Sequence, residues 1–296
     1  MKIHRHLSLA DKECILTIGN YDGIHLGHQL LIKRVLQESK NRGLDSAVLT
    51  FEPHPKEFFD PTNAPSRIIS LREKLEFFKK NNIDRVYVIK FDQQFSALSA
   101  EEFLKILKNQ IKVDGLVVGA DFRFGKNRSG DINAFQEKKI QVFKPETLML
   151  NSDRVSSSLV RAAISNSNFK MVEKLLGRPY GISGKVTHGD KRGKTLGYPT
   201  ANVHMFHKRP PLSGVFAVKL DGFYGMANLG IRPTFKGESK LQLEVHIFNF
   251  NETIYGKHVH VTFFHKIRDE LKFNCSKELI DQISNDAKAA KSFFNI

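Results

Sequence analysis

The chain has 296 residues, 41% hydrophobic and 26% charged, with ten scattered prolines and two thiols, Cys14 and Cys275. That length predicts two compact units, and the composition excludes a disordered chain, a disulfide framework and a four-cysteine zinc site. The net charge of +15 allows nucleic acid, an anionic surface or small anionic substrates as partners, but it splits evenly, +8 over residues 1–180 and +7 over 181–296, with no basic tail, which argues against a nucleic-acid arm.

Residues 14–18 are a short apolar run, 26–39 have helical periodicity and 46–51 are apolar again, so strand, helix, strand is the simplest reading. Ser70 with Glu73 and Ser99 with Glu102 have the spacing of capping boxes, each opening a helical pattern, and apolar runs at 86–89 and 116–118 read as further strands. Such alternation predicts a parallel sheet covered on both faces, with ligands outside the carboxyl ends of its strands. Beyond about residue 177 glycines become frequent and short strands separated by turns follow at 215–218, 224–227, 241–248 and 258–264, a small all-β module, probably barrel-shaped in pattern terms, closed by a helix over 276–293 that would cover an open edge or end. The boundary falls near 177–183, dividing the chain into 1–180 and 181–296. Neither a signal peptide nor a run of eighteen apolar residues is present, so the expectation is a cytoplasmic protein without membrane contact.

The first strand runs into the turn Gly19-Asn20-Tyr21-Asp22-Gly23-Ile24-His25-Leu26-Gly27-His28. A helix starting near Ile24 aims its free N–H groups and dipole at the crevice, where phosphate binds, while Gly23 and Gly27 let the backbone approach. His25 and His28, three apart, project from one face and can donate to phosphate oxygens. A His-x-x-His metal site needs a third or fourth ligand, and two surface histidines are the bland alternative. Three segments after later strands are expected in the same crevice: Phe51 to Pro55, Gly119 to Gly125 with Asp121 and Phe122, and Arg154 to Arg161. In the last, Ser157 or Ser158 can cap a helix and Arg161 can reach an anionic oxygen through its fork. His54, between Pro53 and Pro55, reads equally well as a turn residue.

A second candidate site begins with the glycine- and lysine-rich loop from Gly184 and Lys185 to Leu196, which suits a triphosphate. Gly189 to Thr195 imitates a Walker A loop but is one residue short, and Pro199 forbids the helix that should follow. Pro199 favours extended geometry, so Thr200 and Asn202 share a face and present hard oxygens suited to magnesium bound to ATP. Along 241–248 alternation sets Leu241, Leu243, Val245 and Ile247 against Gln242, Glu244, His246 and Phe248, leaving Glu244 as the strand's carboxylate, either a solvated residue or a base for an attacking hydroxyl.

The set Gly-x-Tyr-Asp-Gly-x-His-x-Gly-His, Phe-Glu-Pro-His-Pro, Gly-Ala-Asp-Phe-Arg-Phe-Gly and Ser-Ser-Ser-Leu-Val-Arg resembles the adenylyltransferase domain of bacterial bifunctional riboflavin kinase/FAD synthetases, with Tyr21 where Phe is more usual and Ser158 where Thr is common. The loop from Gly184, Pro-Thr-Ala-Asn at 199–202, residues 228–235 and Glu-Val-His-Ile-Phe from Glu244 resemble the riboflavin kinase module of the same family. The resemblance implies a Rossmann-like nucleotidyltransferase domain with a parallel sheet, then a small antiparallel barrel with a terminal helix. It also implies FMN formation from riboflavin and ATP, then FAD and pyrophosphate from FMN and a second ATP. Thr200 and Asn202 would hold magnesium-ATP, Glu244 would be the kinase base, and the first site would belong to FMN adenylylation. Flavoproteins receiving the product are possible partners. Where the family has an acidic hairpin after His-Ile-Phe, this chain has residues 249–253 without that charge, expected at a hairpin tip. A nucleotidyltransferase with another phosphorylated acceptor and a basic nucleic-acid binder are the rival readings.

Overall fold

Five consecutive apolar or small residues offer water no polar face, which suits a strand buried on both sides, and they form strand β2 (Cys14–Ile18) with every residue buried. The structure is a computed structural model that describes residues 1–189, 197–205, 209–233 and 239–296. Contacts group Met1–Pro65 with Leu71–Ser156 in one compact unit, and Ser66–Ser70 with Ser157–Ile296 in a second.

In the first unit β1 (Lys2–His4), β3 (Asp45–Phe51), β4 (Arg85–Ile89), β5 (Val113–Val117) and β6 (Gln141–Phe143) join β2 in a sheet ordered β1-β4-β3-β2-β5-β6, parallel at every pairing. One face meets Phe103, Leu104 and Leu107 of helix α5 (Ala100–Asn109) in a core with Leu16, Leu49, Tyr87 and Leu116. The other face meets helix α1 (Leu26–Arg42) through Ile15, Val35 and Val117. Cys14 lies in the first core, where burial raises its thiol to about 12, so it packs as an inert apolar group. Ser99 and Glu102 form the expected reciprocal cap at the start of α5. The chain moves from β2 outward to β3 and β4, then returns across β2 to β5, so its connections part at the carboxyl end of β2 and open a crevice there.

In the second unit β9 (Gly181–Thr187), β10 (Ala201–Met205), β11 (Gly214–Leu220), β12 (Phe223–Pro233), β13 (Ser239–Ile247) and β14 (His258–Arg268) close an antiparallel barrel in the order β10-β13-β12-β11-β14-β9. Helices α7 (Ser157–Ser165) and α8 (Phe169–Leu176) belong to this unit, and Phe169 sets its ring against Phe216 and Phe263 at 6.1 and 6.3 Å.

Two expectations change here. A closed barrel has no open edge, so the C-terminal helix α9 (Ser276–Phe294) instead covers part of the outer wall, packing Ala287 and Ala290 on Ala217, Met226 and Phe248. Phe248 is therefore buried, although strand alternation grouped it with polar residues. Strands β13 and β14 are not neighbours, so residues 249–253 lie in a crossing connection rather than at a hairpin tip.

The terminal helix is fastened by a fork: Arg268 Nε and Nη2 donate to the Asp286 carboxylate at 2.7–3.1 Å, and Gln282 Nε2 donates to it at 2.8 Å. Asp286 is 3% exposed. Removing one partner of a buried pair leaves the other charge uncompensated, so Asp286→Ala is expected to destabilise the second unit by about 3 kcal/mol. Denaturant unfolding followed through barrel resonances measures this.

Candidate active sites

The turn after β2 is bent through left-handed backbone at Tyr21 (φ 51°), Gly23 (φ 85°) and Ile24 (φ 42°). Glycine takes that region without cost, but a tyrosine and a β-branched isoleucine do not, so this turn stores strain of about 1–3 kcal/mol at each of those two residues. Several contacts hold it. Gly19 N–H donates to Leu49 O at 3.0 Å, and Asn20 O accepts Lys74 Nζ at 2.8 Å and Thr50 Oγ1 at 3.4 Å. The Tyr21 hydroxyl, fully buried, is hydrogen-bonded to Thr17 Oγ1 at 2.6 Å, and burial raises its pKa above the ordinary tyrosine value. A Cβ on Gly19 would stand 3.2 Å from the Tyr21 ring, so the glycine leaves that ring its place.

Helix α1 begins at Leu26, two residues later than the sequence pattern indicates, because His25 serves as its N-cap: Nδ1 accepts the N–H of His28 at 3.3 Å. An accepting Nδ1 places the proton of a neutral ring on Nε2, which makes Nε2 a donor. The His25 and His28 rings stack at 3.7 Å and 19°, and a Cβ on Gly27 would meet the His25 ring at 3.2 Å. The expected pairing of the two imidazoles is thus observed, one as cap and one in the first turn. His28 is held well below the ordinary histidine range, first by burial, then by His25 and Lys74, so it is a neutral imidazole at pH 7. Its Nδ1 and Asn20 Oδ1 are buried without a hydrogen-bond partner. Asp22 is also buried within the turn, at 2% exposure.

The other first-site candidates have mixed outcomes. Asp121 lies in a bidentate fork with Arg154, both bonds 3.0 Å, and that guanidinium holds its carboxyl below the usual range. Arg154 is a partner that motif spacing did not single out. Phe122 stacks with Phe124 at 5.8 Å against the core of the sheet. His54 caps helix α2 (Pro55–Phe59), accepting Lys56 N–H on Nδ1 at 3.1 Å while Glu57 receives the His54 N–H, so it has the turn-forming role. Helix α7 begins at Ser157, so Ser157 and Ser158 stand in its first turn and Ser156 precedes it. Arg161, on the same helix, donates Nε to Ser66 O at 2.7 Å, so at least that nitrogen of its fork serves the backbone. These three residues belong to the second compact unit.

In the barrel, Asn202 pairs across the sheet with Thr187 on one side and Glu244 on the other, and Glu244 pairs in turn with Asn228. The four residues make one transverse row on β9, β10, β13 and β12. Leu243 and Val245, flanking Glu244, are wholly buried, and Glu244 itself is half-buried, so the strand alternates as expected and turns its carboxylate away from the barrel core. Gln242, one position along that face, donates Nε2 to Asn202 Oδ1. His246, one position the other way, donates Nδ1 to Pro199 O at 2.8 Å, tying the segment that carries Thr200 to the strand that carries Glu244. Burial is the main cause that lowers His246 below the ordinary histidine value. Gly189 is where the loop meets Asn202, since a Cβ there would run into that amide. Gly184 lies equally close to His204 O and Val203, and Lys185 is exposed. The remainder of the lysine-rich loop, 190–196, and residues 234 and 235 lie outside the described residues.

Thr200 and Asn202 supply an alcohol and an amide oxygen, with the Glu244 carboxylate across from Asn202, a hard-oxygen set that fits magnesium. Among the described residues no three His, Cys, Asp or Glu side chains gather as a metal cluster. A cation here would draw its remaining ligands from phosphate oxygens and water. Among the described residues no helix is long and apolar enough to cross a membrane.

Comparison with known proteins places these geometries in context. A family model described as FAD synthetase matches residues 7–159, and one described as riboflavin kinase matches 176–294. A bifunctional riboflavin kinase/FMN adenylyltransferase from Haemophilus influenzae is 42% identical over 292 residues, covering 95% of this chain and 94% of its own. That of Escherichia coli K12 is 40% identical over 302 residues, covering 98% and 96%. A solved structure from Streptococcus pneumoniae, described as a macrolide-efflux protein, superposes with a TM-score of 0.78 at 30% identity and covers 96% of both chains.

Proposed function

We propose, from the premise that the chain belongs to the bifunctional riboflavin kinase/FMN adenylyltransferase family, a division of its two activities between residues 1–180 and 181–296 and a set of residues that performs each. The protein phosphorylates riboflavin to FMN and adenylylates FMN to FAD, with ATP as the second substrate of both steps. The efflux description of the pneumococcal protein names an activity found in neither family model, and the reading here follows the two models.

In the kinase step the ribityl hydroxyl is neutral. Glu244 takes its proton as the oxygen bonds to the γ-phosphorus of ATP and the bond to the ADP oxygen breaks. Thr200 and Asn202 hold magnesium, which when bound neutralises phosphate charge, and Gly184 and Lys185 line the approach of the triphosphate. Gln242 and His246 keep the Asn202 amide and the Pro199 carbonyl in register with Glu244. The row Asn202, Glu244, Asn228 is the observation that carries this assignment.

In the adenylyl step an FMN phosphate oxygen, already anionic, bonds to the α-phosphorus of ATP and pyrophosphate leaves. No base is needed, and the demand is alignment and stabilisation of negative charge. The N-terminus of α1, His25 through Nε2–H and His28 meet it, with Gly19, Asn20, Asp22 and Gly23 shaping the turn. Asp121, Phe122, Ser157, Ser158 and Arg161 are assigned to the same step from their motifs, and Arg154 joins them through its fork with Asp121. Pure protein given riboflavin, ATP and magnesium is expected to form FMN and then FAD on chromatography. Chelating the metal is expected to stop FMN formation, and persistence of that step would remove Thr200 and Asn202 from a metal role.

A further inference from the structure

We propose that Lys74 is a positioning residue of the adenylyl-transfer site, clamping the strained turn through Asn20 O and setting its charge behind His28; this rests on the assignment of His28 to that step. Helix α3 (Leu71–Lys80) buries Lys74 and Phe78, one turn apart on its inner face. Both reach the turn after β2. Phe78 meets the Tyr21 ring edge-on at 5.6 Å, and Lys74 Nζ donates to Asn20 O at 2.8 Å. Lys74 is 1% exposed. A lysine at such a position forfeits hydration that a methionine of similar length would never need, so packing does not account for it.

The contacts show what the ammonium group supplies. Asn20 immediately precedes left-handed Tyr21, and fixing its carbonyl from outside the turn opposes relaxation of that backbone. The groups set against His28 are the stacked His25 ring, the Tyr21 ring at 5.1 Å, and Lys74 from α3. A cation behind a neutral imidazole disfavours a second proton on it, so the ring reaches ATP as a hydrogen-bond donor rather than a competing cation. The same side chain therefore links the shape of the turn to the protonation state of its histidine.

Two substitutions separate these effects. Lys74→Met removes donor and charge, whereas Lys74→Gln keeps a donor towards Asn20 O and removes the charge. Lys74→Met is expected to lower kcat for FAD formation from supplied FMN by about ten- to hundredfold, as loss of alignment in a positioned site does. Riboflavin phosphorylation in the same preparation should stay within about twofold of the parent, since a lost contact confined to one domain leaves a distant one additive. The His28 imidazole, followed by NMR, should titrate at higher pH in both variants, with Lys74→Gln recovering part of kcat. Parental kcat in Lys74→Met, or an unmoved His28 titration in Lys74→Gln, overturns the proposal. If Lys74→Met fails to fold, the Lys74→Gln titration decides it. Parental FAD synthesis by His28→Ala would instead overturn the site assignment beneath it.

Discussion

His28→Ala stops the protein at FMN: with riboflavin and ATP supplied, FMN accumulates at the parental rate and FAD formation falls by about 100- to 1000-fold, the loss typical when one preorganised donor to a charged transition state is removed. The substitution acts at two levels. It removes the neutral imidazole from the first turn of α1, and it takes away the ring on which His25 stacks at 3.7 Å. The backbone N–H of residue 28 remains, so His25 can still cap the helix, which makes loss of the fold an unlikely cause of the defect. A near-parental dispersion of amide resonances would verify that. The expected effect lies in kcat with supplied FMN, because stabilisation of the developing charge, more than ground-state binding, is lost. Parental FAD synthesis by this variant would remove His28 from the mechanism.

Much of this architecture is legible in the sequence because each unit repeats a simple pattern. Strands β2 to β5 are apolar runs buried on both faces, and the alternation of residues 241–247 returns as buried Leu243 and Val245 with Glu244 between them. What is not legible depends on contacts across the sequence. Strand β1 has only three residues, too few for a period, and is set by pairing with β4. Lys74 belongs to an ordinary amphipathic pattern in which a lysine reads as solvated, and only the fold shows its inner position. Arg154 pairs with Asp121 thirty-three residues away. Gln242 and His246 were within reach, since the period-two pattern sets both on the face of Glu244, but their partners Asn202 and Pro199 come from another strand and its approach. The terminal helix could be seen as amphipathic, yet the surface it covers depended on whether the barrel closed.

Glu244→Gln is expected to lower kcat for FMN formation by about 100-fold or more, within the range lost when a positioned base is removed, while FAD formation from supplied FMN stays parental. The amide keeps the length and most of the volume of the side chain, and Leu243 and Val245 on either side remain buried, so the strand and barrel are retained. What changes is the capacity to take a proton from the ribityl hydroxyl. A solvated glutamate would behave differently, because its replacement by glutamine leaves the rate unchanged. A glutamate that only steadied the cation near Asn202 would give a third result: KM for magnesium-ATP would rise and excess magnesium would restore the rate. The base assignment therefore requires a fall in kcat that excess magnesium does not rescue. It also requires that rate to lose the dependence on ionisation of a carboxyl group that the parent shows as pH is lowered. The opposite responses of His28→Ala and Glu244→Gln, each sparing the step the other removes, separate the two chemistries within one chain. The physical reason is that the first hydroxyl must be deprotonated to attack, whereas the FMN phosphate it becomes arrives already charged.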